Sequence, residues 1–105
     1  MVEPSRGAVF WLEMEAEGRH PVCVLTREEA IPSLRNIVVA TVTSHKWGIR
    51  SEVPLGREDG VPRECVISLD NLRTVPKAQL TEPITRLSSK KMAELCAALD
   101  ASTGC

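Results

Sequence analysis

The sequence has 105 residues, 43% of them hydrophobic, which is enough for one domain with one modest core and excludes a disordered chain. A formal net charge of -1 excludes a strong overall field for DNA or a membrane surface, so a nucleic-acid site must be a local, salt-sensitive basic patch. No apolar run reaches the length of a membrane-spanning helix. The stretch Met1 to Gly7 lacks the basic and apolar regions of a signal peptide, which points to the cytoplasm.

The chain from 1 to 105 shows no internal repeat, linker or low-complexity tract. Its first two-thirds reads as strands. Gly7 to Met14 is apolar and ends in charge. His20 to Thr26 is a short apolar run behind the turn Ala16 to Arg19. Arg27 to Arg35 is a longer excursion, with one helical turn broken by Pro32. Asn36 to Ser44 is rich in β-branched residues, as strands are. Ile49 to Leu55 is mixed, and Pro54 marks it as an edge or a strand end. Arg63 to Leu69 carries Cys65, Ile67 and Leu69 on one face. Asn71 to Leu80 contains Pro76 and predicts a turn or short helix, and Ile84 to Leu87 predicts a last short strand.

The tail has a different period. Met92, Leu95, Cys96 and Leu99 follow helical spacing, Ser88 or Ser89 offers an N-cap, and Gly104 lies beyond the end. An amphipathic helix packed on short strands predicts a mainly β fold, a small and strongly bent antiparallel barrel.

The four cysteines, Cys23, Cys65, Cys96 and Cys105, form no C-x-x-C pair, which argues against a zinc ribbon. They read as three buried thiols and one loose tail thiol at Cys105. The two histidines, His20 and His45, have no carboxylate at ligand spacing, so no metal site is predicted. Signatures for acyl or nucleotide chemistry are absent.

What is left is a set of phosphate-friendly groups beside turns. Arg19 and His20 enter the second strand; Thr43, Ser44, His45 and Lys46 leave the third. Adjacency in a meander brings the two groups to one rim. A histidine there transfers protons near neutral pH, and an RNA 2′-hydroxyl can attack its own phosphate without a metal. A solvated polar turn is the other reading of the same residues. Phe10 and Trp11 alternate in direction, and Trp47 beside Lys46 either stacks on a base or anchors its turn.

Five stretches in this order resemble the MazF/PemK toxin family. They are Arg6 to Trp11, Gly18 to Leu25, Val38 to Ser44, Leu69 to Val75 and Ile84 to Ser88. The resemblance implies an SH3-like barrel of the CcdB/MazF/PemK type with a C-terminal helix. It also implies a homodimer and a MazE-like antitoxin that blocks the RNA groove. The implied activity is that of an mRNA interferase: cofactor-free, metal-independent cleavage of single-stranded RNA to 2′,3′-cyclic phosphate and 5′-hydroxyl ends.

The family's two key residues are an Arg before the Pro of the second strand and a Thr ending the third. Thr43 matches the second. At the first, His20 precedes Pro21 and Arg19 stands one place earlier. Either His20 takes the acid-base role, or the turn lets Arg19 swing in, or activity is reduced. The expected assignment gives His20 the proton, Arg19 the phosphate charge, and Thr43 with Ser44 the phosphate oxygens. Lys46, Trp47 and Arg50 are expected to hold flanking RNA. CcdB-type toxins share the barrel and act on DNA gyrase through the end of the last helix; Asp100 to Cys105 shows no recognisable pattern of that kind. A degenerate homologue that only binds antitoxin is the third reading.

Overall fold

A computed structural model of the chain describes residues 3–105. Met1 and Val2, part of the stretch read for a signal peptide, lie outside the described residues. Among the described residues six strands form one antiparallel sheet: β1 (Ala8–Met14), β2 (Gly18–Val24), β3 (Asn36–Thr43), β4 (Glu52–Leu55), β5 (Cys65–Pro76) and β6 (Leu80–Arg86). Their order across the sheet is β4-β5-β3-β2-β1-β6. A helix, α1 (Ser89–Thr103), closes the chain.

The strands read as near-continuous apolar runs because both sheet faces are covered. Val9, Cys23, Ala40, Val42 and Ile67 face the side on which Leu95 and Ala98 of α1 pack. Phe10, Leu12, Val22, Val24, Ile37 and Val39 face the other side, under Ile31 and Val75. Ile31 belongs to a 3-10 turn at Glu28–Ser33, the predicted helical turn, and it holds Pro32.

The sheet curls until its ends approach. Thr85 Oγ1 on β6 donates to the Asp59 carbonyl oxygen, 2.8 Å away, just beyond β4. Gly60 follows at φ +93°, and a Cβ there would collide with the Thr85 side chain. A left-handed conformation alone costs a non-glycine residue about 1–2 kcal/mol. Gly60→Ala should therefore lower stability by at least that amount. A urea midpoint within error of wild type would remove Gly60 from the closure.

Three sequence expectations need correction. Asn71 to Leu80 is not a turn or helix. β5 runs on to Pro76, because its backbone pairs with β3 from Asn36↔Pro76 to Ala40↔Leu72. The connection is a 3-10 turn of only three residues, Lys77–Gln79, and β6 starts at Leu80 rather than Ile84. Ile49 is exposed, and β4 begins only at Glu52. Pro54 does lie on an edge strand.

The third correction is Cys96, which is exposed rather than buried. α1 docks through Leu95 and Ala98, with Met92 and Leu99 beside them, and this leaves Cys96 on its flank. The ends are as expected. Ser88 Oγ accepts from the Lys91 N–H at 3.2 Å, and Gly104 caps the other end at φ +74°. Cys23 is fully buried, and burial pushes its thiol up to about 12. Burial raises the Cys65 thiol as well. A thiolate is the reactive form, so a thiol reagent should label Cys96 and Cys105 in the folded protein and spare Cys23 and Cys65 until urea is added. Mass spectrometry of the labelled peptides reads this directly. Rapid labelling of Cys23 would contradict the packing.

No helix among the described residues is long and apolar enough to cross a membrane.

Candidate active site

The turn between β1 and β2 places the first group. Met14 pairs with Gly18, so only Glu15, Ala16 and Glu17 bridge the strands. Gly18 turns the chain at φ +80°, where a Cβ is unfavourable. Successive strand residues then take opposite faces. Arg19 and Pro21 share the face of Trp11, whose cross-strand partner is Pro21. His20 shares the face of Val22.

Arg19 is held by two neighbours. Its guanidinium lies 4.4 Å from the centroid of the Trp11 ring, and Nη2 pairs with the Glu82 carboxylate. Glu82 stands opposite Trp11 on β6, so three adjacent strands build this cluster. His20 makes a different contact. Its Nε2 lies 2.8 Å from the Glu17 carbonyl oxygen. A carbonyl only accepts, so Nε2 carries the proton and, in the neutral ring, Nδ1 keeps a lone pair.

Thr43 ends β3. The β2–β3 register runs Val24↔Val39, Cys23↔Ala40, Val22↔Thr41. The pairing stops there; His20 and Thr43 each lie two residues beyond the last pair, on the same side of their strands as Val22 and Thr41. Thr43 Oγ1 accepts from the His45 N–H at 3.2 Å, which leaves the hydroxyl proton to donate elsewhere. Thr43 also borders a cavity of about 470 Å³, together with Ser44, Pro21, Trp11, Arg63 and Glu64. Thr43 thus stands just past the end of the β2–β3 ladder, as His20 does, and borders the cavity whose wall includes Trp11. His20 itself does not line that cavity.

The remaining expected residues divide. Ser44 lines the cavity, and Lys46 Nζ lies 3.9 Å from Glu64 at its edge. Trp47 is 78% exposed, yet its loop is fixed: the Glu52 carboxylate accepts the N–H groups of Trp47 and Gly48 at 3.0 Å each. An aromatic ring held open to solvent suits base stacking better than core packing. Arg50 is elsewhere. It borders a separate hollow with Ile49 and Ala101, beside the end of α1.

Sequence reasoning missed Trp11 and Glu82 as partners of Arg19, and missed the pair Glu17 and Arg73. Arg73 on β5 reaches over β3 to the turn, where Nη1 and Nη2 meet the two Glu17 carboxylate oxygens at 2.7 and 3.2 Å. Hydrogen bonding and charge from Arg73 hold the Glu17 carboxyl below its usual range. Contacts across 56 residues leave no local signal.

Residues 5–103 match the family described as the PemK-like, MazF-like toxin of type II toxin-antitoxin systems. The chain belongs to this family. It is 41% identical over 103 residues to a probable endoribonuclease, MazF5 of Mycobacterium tuberculosis, covering 97% of this chain and 94% of that protein. It is 38% identical over 101 residues to the probable endoribonuclease MazF2 of the same species, covering 95% and 99%. Among solved structures, the M. tuberculosis toxin MazF-mt6 superposes with a TM-score of 0.85 at 29% identity, covering 92% of this chain and 96% of that one. A MazE–MazF complex from Deinococcus radiodurans gives a TM-score of 0.81 at 25% identity, covering 99% and 98%. The MazF-like fold expected from the sequence, mainly β with a C-terminal helix, is therefore the observed one, built as a curled sheet whose ends meet at Asp59 and Thr85.

Proposed function

We propose that this chain is the toxin of a type II toxin-antitoxin pair and an endoribonuclease that cuts single-stranded RNA, so blocking translation and growth. The observation that supports this chemistry is the end of the β2–β3 ladder at Val22↔Thr41, beyond which His20 and Thr43 each lie two residues away on their strands.

The 2′-hydroxyl attacks the adjacent phosphorus. The O2′–P bond forms and the P–O5′ bond breaks. His20 takes the 2′ proton on Nδ1, the side left with a lone pair by the Glu17 carbonyl. Thr43 donates its hydroxyl to a phosphate oxygen, where charge develops. The departing 5′ oxygen is protonated from water. The products are a 2′,3′-cyclic phosphate and a 5′-hydroxyl, with no metal or cofactor in the scheme.

Arg19 lies on the opposite face of β2. It reaches the phosphate only by exchanging Glu82 for the RNA, and the carboxylate masks its charge until then. Ser44 and Lys46 follow Thr43 along the rim, and Trp47 offers a stacking surface for a flanking base. Arg50 has no place in this scheme, because it sits against the end of α1. The working unit is a homodimer in the cytoplasm, held inactive by a MazE-like antitoxin; the solved relatives that carry both names support that partner.

Incubating the purified protein with a long single-stranded RNA in EDTA, and in parallel with DNA gyrase on relaxed DNA, separates the readings. RNA cut at fixed positions with gyrase unaffected is the expected result. Intact RNA with inhibited gyrase would favour a CcdB-like action, and no effect on either would mark a degenerate toxin.

A further inference from the structure

His20 is an exposed residue of β2 just after a three-residue turn, yet its ring orientation is set. The carbonyl that sets it belongs to Glu17, which is also the residue that Arg73 grips. Glu17 thus makes two contacts, one through its side chain and one through its main chain. Its carboxylate is taken by a guanidinium from β5, two strands away from β2 in the sheet, and its main-chain oxygen is taken by the imidazole. A two-point guanidinium–carboxylate contact fixes direction as well as distance. The turn has one further internal tie, the Glu17 N–H to the Met14 carbonyl oxygen at 3.1 Å.

We infer that Glu17 and Arg73 are positioning residues for cleavage: their ion pair holds the turn so that the Glu17 carbonyl keeps the proton of neutral His20 on Nε2 and leaves Nδ1 open to the RNA. The inference rests on the reading of His20 as the proton acceptor. Neither residue touches the reacting atoms. An isolated exposed ion pair stabilises a fold little, so the consequence of losing it lies in the ring's tautomer rather than in folding. Outer partners that orient metal-ligating side chains typically change activity by about 10–100-fold, and the same scale is expected for a base oriented from behind.

The test is Arg73→Gln in the full chain, read by long-range nitrogen–proton NMR of the imidazole and by steady-state cleavage of single-stranded RNA. In wild type the neutral His20 ring should show a protonated Nε2 and an unprotonated Nδ1. In Arg73→Gln both tautomers should be populated, and kcat should fall about tenfold with KM little changed. The charge-exchanged double variant, Glu17→Arg with Arg73→Glu, should recover the single tautomer and most of kcat. A single unchanged tautomer in Arg73→Gln would overturn the inference. So would a rise in KM at constant kcat, which would make Arg73 a direct RNA contact that the exchange could not rescue. A wild-type protein with the stated tautomer but no RNA cleavage would sink the endoribonuclease reading and leave the geometry of the clamp in place.

Discussion

Replacing His20 by alanine should slow cleavage of single-stranded RNA by about a hundred- to ten-thousand-fold, the usual contribution of a positioned general base or acid. The reasoning is geometric. His20 is the imidazole that lies, like Thr43, two residues beyond the last β2–β3 pair, and the Glu17 carbonyl accepts from Nε2, leaving Nδ1 of the neutral ring without a proton. Arg19 cannot take over without change, since strand alternation puts it on the opposite face, bound to Trp11 and Glu82. Its guanidinium also holds its protons far too tightly to act as a base near neutrality. His20 is exposed and buries little, so the variant should fold like wild type and lose kcat rather than stability. Cutting at the wild-type rate by His20→Ala would remove the histidine from the chemistry and return the role to Arg19.

The second large effect concerns the fold that carries the rim. Leu95→Ala should destabilise the protein by about 2–5 kcal/mol, as expected for truncating a buried leucine. Leu95 is 0% exposed and lies in the core shared by Val9, Ile67 and Leu69. The only other buried residue of α1 is Ala98, so the helix has one large anchor. A helix of 15 residues is marginal by itself in water and depends on such packing. The denaturation midpoint in urea measures the loss, at fixed protein concentration because assembly shifts it. A change under about 1 kcal/mol would mean that α1 does not need its core contact.

Elements with a strong local pattern were legible. The apolar and β-branched runs gave β1, β2 and β3 to within two residues, and Ser88 and Gly104 marked the ends of α1. Asn71 to Leu80 was not legible, because Pro76 reads as a breaker locally while the strand around it is fixed by pairing with β3. The direction of Cys96 was not legible either; a helical pattern gives a stripe, and docking decides which edge of it is covered. At the site, Arg19, His20 and Thr43 stood out as phosphate-friendly groups beside turns and then fell on the family's key positions, and Trp47 came from its place in a loop. The face each one takes needed the register. Arg50 shows the limit: four residues beyond Lys46 in sequence, it ends beside Ala101 instead of at the rim. Glu17 and Arg73 carry no local pattern, since their meeting depends on how β5 lies across β3.

Identifying the ends left on a cut RNA tests the central claim most directly. Attack by a neighbouring 2′-hydroxyl, with His20 as base and no metal, predicts fragments with a 2′,3′-cyclic phosphate and a 5′-hydroxyl, formed in EDTA. It also predicts no cutting when the 2′-hydroxyl at the cleavage position is replaced by hydrogen. Fragments with a 5′-phosphate and a 3′-hydroxyl, or continued cutting of the 2′-deoxy substrate, would contradict it.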